Sequence, residues 1–307
     1  MYDVISLLTN RHDFFLQLLW EHIEISLSAS IIAIIIGGLL GILIYDYRRL
    51  SGPVMVVVNF LYTIPSISML GLLLYVSGVG NTTAVIALVI YALLPMVRNT
   101  FTGLNQIKSD MREAGIALGL TRLQRLWNIE IPLAMPTIMA GIRTMLVMTI
   151  ALTGIASFIG AGGLGVAIYR GITTNQSALT IAGSLLIALL AIVVDALFSL
   201  GERVTRISPN MKRYTIIFLS TMTLIAMAVG GWSLYCRHVK ADVIHIATKP
   251  MTEQLILGNV LKELIEHKTN LTVEVTEGVG GGTSNIQPAM RTGQFDIYPE
   301  YTGTAWS

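Results

Sequence analysis

Six long apolar stretches dominate this chain, at residues 23–44, 53–76, 82–101, 136–157, 178–200 and 214–235. Each comes close to the ~20 residues that a helix needs to cross a hydrocarbon core of ~30 Å. A water-soluble domain carries roughly 25% charged residues, whereas only 12% of this chain is charged and 53% is hydrophobic. So much apolar sequence cannot be wrapped in a polar surface, and a single soluble domain is excluded. The first stretch is too long for a signal-peptide core and has no small-residue cleavage site after it, so it is kept as a span. Beyond Tyr235 the composition turns polar, with alternating patterns and Gly-rich turns. The expected division is a membrane bundle over residues 1–236 and a water-soluble domain over 237–307.

Basic residues orient the bundle. Loops after the first, third and fifth stretches, together with Arg98 near the end of the third, hold eleven Lys and Arg, among them Arg48, Lys108 and Arg203. The N-terminal tail and the two loops on the opposite side have only Arg11 and Arg170. The first group is expected in the cytoplasm, which puts both chain termini and the soluble domain outside. A net charge of +2 offers no electrostatic footprint for nucleic acid. The single cysteine, Cys236, excludes a disulfide framework within one chain, and five scattered histidines lack zinc spacing. No metal site is expected.

The longest cytoplasmic segment, residues 98–135, is helix-compatible. Its second part, 122–129, places Leu123, Leu126 and Trp127 on one helical face. Periodicity alone is compatible with an amphipathic helix lying on the membrane surface. The motif Glu113-Ala114-Gly115, with Gly119 after three residues and Ile129-Glu130-Ile131-Pro132 after nine more, resembles the EAA loop of ABC importer permeases. That family pattern is Glu-Ala-Ala, three residues, Gly, nine residues, then Ile-x-Leu-Pro. All spacings fit; Gly115 and Ile131 depart from the pattern conservatively. The resemblance implies a six-helix, all-α bundle of the type I ABC importer permease kind. It also implies a coupling helix that docks into a dimer of cytoplasmic ATPase subunits, with Glu113 fixing the loop by hydrogen bonds. No Gly-Lys-Ser or Gly-Lys-Thr occurs, so the chain lacks a P-loop for nucleotide phosphates. ATP and Mg are expected on the partner, and this chain is not expected to be an enzyme.

Residues 158–165, Phe-Ile-Gly-Ala-Gly-Gly-Leu-Gly, read either as a flexible turn or, by resemblance, as a segment of permeases for osmoprotectants and methionine. Pro65 and Pro95 interrupt the second and third stretches. Arg143 and Asp195 fall inside spans. They either snorkel and face water, or pair between the fourth and fifth spans, since intramembrane charges usually have partners.

In the soluble part, residues 243–248 and 271–275 read as strands around a helix at 252–267, with Leu255, Val260, Leu261 and Leu264 on its apolar side. A third strand is expected at 295–298. This is the opening of an α/β lobe, whose ligands sit beyond the carboxyl ends of the strands. Residues 249–254, 280–285 and 299–304 should therefore converge. Thr248-Lys249-Pro250-Met251-Thr252-Glu253-Gln254, the run from Gly278 to Asn285, and Asp296 to Thr304 resemble the quaternary-amine substrate-binding proteins. That family binds glycine betaine, carnitine, choline and, in some members, ergothioneine. The resemblance implies that Gln254 and Thr304 donate hydrogen bonds to a ligand carboxylate. A trimethylammonium group lacks N–H donors and is recognised mainly by aromatic faces, through cation–π attraction. Tyr301 and Tyr298 are the candidates, although strand alternation could bury Tyr298 in the lobe core. Thr283 is either a ligand contact or the N-cap of the helix after the glycines. Only the first part of a two-lobed periplasmic-binding-protein-like domain is present in 237–307.

The expected protein is thus a multi-pass component of a bacterial inner membrane, embedded in lipid and paired with a second copy of itself, carrying a fused binding domain for a small quaternary amine. Methionine or another amino acid as cargo, and a membrane-tethered ligand sensor, are the rival readings.

Overall fold

The computed structural model describes residues 2–207, 243–269, 271–279, 282–291 and 295–305. The sixth apolar stretch, 214–235, lies outside the described residues.

The chain opens with α1 (Tyr2–Asn10), which leads directly into α2 (His12–Asp46). At 35 residues, α2 is about 50 Å long and exceeds the hydrocarbon thickness. The first apolar stretch is therefore only its inner part, and the turns carrying Gln17 and Glu21 continue the helix outward. Next come α3 (Arg48–Thr63), α4 (Ser66–Ser77) and α5 (Asn81–Asn105). The second apolar stretch is not one straight span: α3 and α4 meet at 99°. Proline disfavours the helical region for the residue before it, and Ile64 is extended at φ −67°, ψ 128°. The hydroxyl of the buried Tyr91 donates to the carbonyl that the break exposes, Ile64 O. Pro95, by contrast, is accommodated inside α5 without a break. Four helices are long and apolar enough to cross a membrane, or five with the bent pair counted as one span, among the described residues.

Two short helices, α6 (Ser109–Ala117) and α7 (Arg122–Arg125), run through a π turn (Leu126–Glu130) into α8 (Ile131–Ala156). Then follow a 3₁₀ turn (Ser157–Ile159), α9 (Gly165–Thr173) and α10 (Ser177–Ile207). The bundle core is built from α2, α5 and α8. In lipid, apolar side chains gain little from leaving one apolar medium for another, so close backbone approach carries the packing. Gly41 faces Thr100, and a Cβ there would lie 2.5 Å from the Thr100 Cβ; at Gly141 it would lie 2.4 Å from the Asn99 Cβ. Along α10, Ile181, Leu185, Leu189 and Ile192 are exposed, an apolar stripe suited to lipid or to another span.

The soluble part is a βαβ unit. β1 (Val243–Ala247) pairs in parallel with β2 (Thr272–Thr276), and α11 (Thr252–Lys268) crosses between them. Residues 295–298 do not extend as a strand. They contribute one bridge, Ile246 to Ile297, because the Asp296 carboxylate turns back to accept from the His245 amide at 2.8 Å. The buried face of the helix is rotated from the expected one: Leu255 is inside as expected, but Gln254 and Gly258 join it there, while Val260 and Leu264 are about half exposed. Gly258 sets that rotation, since a Cβ there would lie 2.3 Å from the Thr248 Cγ2. Finally α12 (Thr283–Arg291) and the short α13 (Thr302–Ala305) follow.

Candidate functional site

At the end of the bundle that carries the polar segment, α6 presents Glu113 and Ala114 to solvent and turns Gly115 inward. A Cβ on Gly115 would sit 2.9 Å from the Ile129 Cδ1. The glycine that departs from the family pattern thus gives Ile129 room to pack. Gly119, at φ +74°, ends the helix as a Schellman cap: Leu120 N–H reaches Gly115 O at 3.1 Å and Gly119 N–H reaches Ile116 O at 2.9 Å. Thr121 and Gln124 then form a capping box that starts α7. Pro132 stands in the first turn of α8, where its missing N–H costs nothing.

Glu113 does not fix this loop. Its side chain is exposed and has no hydrogen-bond partner among the described residues. Glu130 does so instead, with 0% of its side chain exposed. One carboxylate oxygen accepts from Arg122 Nη1 at 2.7 Å and the other from Arg125 Nε at 2.9 Å. Arg122 also pairs with Asp46 at the end of α2. The π turn breaks the single helical face expected for Leu123, Leu126 and Trp127: Leu126 is buried, whereas Leu123 and Trp127 are exposed. Sequence reasoning missed Glu130, although a carboxylate between two isoleucines, with two arginines shortly before it, was a visible signal.

Mid-bundle, the Arg143 guanidinium meets both oxygens of the Asp195 carboxylate, with Nη2 2.5 Å from Oδ2. The pair joins α8 to α10, and each side chain remains a little over one-third exposed.

At the opposite end of the bundle, residues 158–165 are pinned in place. Gly162 N–H donates to Asn81 Oδ1 at 2.9 Å and Gly163 N–H to Glu21 Oε2 at 3.0 Å. His22 is fully buried beside Gly163, with Nε2 2.9 Å from Ile150 O. Glu21, His22 and Asn81 carried no signal in the sequence because each is an isolated polar residue whose partner lies far along the chain.

In the soluble part, three binding segments converge on Glu300. Lys249 pairs with it, Thr283 Oγ1 donates to its Oε2 at 2.7 Å, and Tyr301 N–H donates to its Oε1 at 2.9 Å. Thr283 uses its hydroxyl to tie two segments together. Desolvation, and then the neighbouring Glu300 carboxylate, raise the pKa of the Tyr298 phenol. Its ring packs against the cluster of Ala247, Val279 and Ile286. Tyr301 is half exposed beyond it. Gln254 is fully buried, and neither amide atom has a partner among the described residues. Thr304 falls in α13; its side chain lies outside the described residues.

This edge faces the bundle. Arg170 Nη1 meets Glu277 Oε2 at 2.5 Å, while Asn259 Nδ2 donates to the other oxygen at 2.9 Å. Val79, between α4 and α5, packs in the same cluster as Val279. A cavity of about 950 Å³ lies at the junction, lined in part by Glu21, Asn81, Arg170 and Glu277.

A multi-span helical bundle with a capped polar segment, joined to a βαβ unit, is the architecture of a transport-system membrane subunit with a fused substrate-binding domain, the class that the family matches show. Residues 30–207 match the family described as binding-protein-dependent transport system inner membrane component, and the chain belongs to that family. Residues 242–307 match the substrate binding domain of ABC-type glycine betaine transport systems. The chain is 36% identical over 286 residues to the ergothioneine transport permease/ergothioneine binding protein of Helicobacter pylori (strain G27). That alignment covers 91% of this chain and 52% of the relative, so the chain spans about half the length of that protein. It is 44% identical to the glycine betaine/carnitine/choline transport system permease protein of Bacillus subtilis (strain 168), over 64% of this chain and 86% of the relative. Among solved structures, an inward-facing methionine ABC transporter aligns with a TM-score of 0.58 at 20% identity, covering 62% of this chain and 95% of that one; this likeness concerns the fold.

Proposed function

We propose that this chain is the membrane subunit of an ATP-driven importer for a quaternary ammonium compound: glycine betaine, carnitine, choline or ergothioneine. Two copies would line the pathway and two cytoplasmic ATPase subunits would drive it, with ATP and Mg held on those subunits. Residues 1–236 would form the permease, and 237–307 the beginning of the extracytoplasmic binding domain. The observation that carries this reading is the position of the ligand edge. Glu277 and Val279 lie against the outer end of a bundle whose inner end exposes Glu113 on a capped helix. A pure sensor has no use for the second feature. The names of the relatives support the cargo class over methionine.

Within the binding edge, Tyr301 supplies an aromatic face for the cation, with Tyr298 packed behind it. Gln254, Thr304 and Thr283 are the proposed contacts for a ligand's polar end. The test is calorimetric titration of the full chain in nanodiscs with glycine betaine, carnitine, choline, ergothioneine and methionine. Binding of one trimethylammonium compound, weakened by Tyr301→Ala, is the expected result. Binding of methionine alone, or of none of the five, overturns the cargo assignment.

A further inference from the structure

The cytoplasmic segment is tied to the inner end of the first span by a chain of charges that the family motif does not contain. α2 ends on Asp46. A carboxylate at a helix C-terminus faces the negative end of the helix dipole, so it favours a cation close by, and Arg122 supplies one. The same guanidinium donates to Glu130. A carboxylate buried as deeply as Glu130 is costly unless its lone pairs are filled by well-placed donors; Arg122 and Arg125 take one oxygen each. The π turn over Leu126–Glu130 is what lets both arginines, five and eight residues earlier, reach one carboxylate. The ring of Tyr45, next to Asp46, lies between two guanidiniums, 5.1 Å from Arg112 and 5.4 Å from Arg122. Arg112 belongs to α6 and anchors to the carbonyl of Leu104, at the end of α5, at 2.8 Å. The helix exposing Glu113 is thereby joined to α2, α5 and α8 through five charged side chains and one aromatic ring.

We propose that Glu130 and Asp46 are positioning residues that, through Arg122, make the cytoplasmic segment and the inner end of the first span one mechanical body. A push on α6 is then delivered to α2 as movement and is not lost in the loop. The inference rests on the reading that α6 docks an ATPase.

The test reconstitutes the full chain in proteoliposomes with the ATPase subunits that co-purify with it. ATP hydrolysis and accumulation of an equimolar radiolabelled mixture of glycine betaine, carnitine, choline and ergothioneine are measured in the same vesicles. Asp46→Asn and Glu130→Gln should each lower cargo accumulated per ATP hydrolysed by about tenfold, within the usual span of coupling effects, while the ATPase still co-purifies. Should Glu130→Gln fail to fold, the partly exposed Asp46 carries the test alone. A covalent tie provides the rescue arm. In a Cys236→Ser background, Asp46→Cys with Arg122→Cys should recover the ratio after treatment with a short bismaleimide. An unchanged ratio in Asp46→Asn, or a cross-linked variant no better than its untreated form, overturns the proposal. Failure of the underlying reading is separately visible: the unmodified chain would then retain no ATPase.

Discussion

Arg143 and Asp195 meet side-on between α8 and α10, each guanidinium donor facing its own carboxylate oxygen. Two parallel hydrogen bonds give this pair a fixed geometry as well as a charge balance. Replacing Asp195 with Asn leaves Arg143 in an apolar span without its counter-charge, and Arg143→Gln does the converse. Each single variant is expected to reach the membrane at severalfold lower levels, measured by quantitative blotting of membrane fractions. Reversing both charges, Arg143→Asp with Asp195→Arg, should recover most of the loss. A double variant worse than either single one would show that the contact does not hold the helices together.

Arg170 and Glu277 form the polar part of the seat on which the binding unit rests. Both side chains are about one-quarter exposed, so the pair is worth about 1 kcal/mol at most, or roughly fivefold in a docking equilibrium. Arg170→Glu removes this attraction and sets two carboxylates against each other, so it should lower uptake by at least about that factor, while ligand affinity of the full chain in nanodiscs stays unchanged. Adding Glu277→Arg should restore uptake. Loss of affinity in Arg170→Glu would instead place the arginine in ligand binding.

Gln254 is a buried amide without a partner among the described residues, and such a group costs about 1–3 kcal/mol when left unsatisfied. Leucine has similar volume and no polar atoms. Gln254→Leu should raise the thermal midpoint of the ligand-free full chain, by the equivalent of about 1 kcal/mol. The same change should abolish the further rise that cargo produces. A lower ligand-free midpoint would mean that the amide is satisfied in the folded protein and is not waiting for a ligand.

Legibility in the sequence divides along physical lines. Apolar length reports transmembrane helices directly, because the hydrocarbon thickness sets it: α2, α5 and α10 each contain their expected stretch, and α8 holds all but the last residue of its own. The bend at Ile64 was only half visible. Pro65 marked the place, but the hydroxyl that satisfies the exposed Ile64 carbonyl at this 99° bend belongs to Tyr91, 27 residues later, and gives no local sign. Spacing located the cap at Gly119, since a positive φ there needs glycine. It misassigned the anchor of the loop, because the π turn shifts Glu130 out of ordinary helical phase and into the bundle. The face of α11 was misread for a related reason. Counting apolar residues favours Val260 and Leu264, whereas the close approach of Gly258 to Thr248 turns the helix toward Gln254.

Tyr91 offers a way to test what holds the bend between α3 and α4. Its hydroxyl satisfies the Ile64 carbonyl, and its ring stacks edge-on with Tyr62 at a centroid distance of 6.1 Å. Tyr91→Phe keeps the ring contact and removes only the hydroxyl. In an apolar bundle the carbonyl then has no water to turn to, a loss of about 1–3 kcal/mol. Pro65→Ala restores an N–H but leaves the Tyr91 bond intact, so its cost should be smaller. Thermal unfolding in detergent should therefore rank Tyr91→Phe as the less stable of the two variants. The reverse order would mean that the proline ring itself maintains the bend and that the hydroxyl merely follows it.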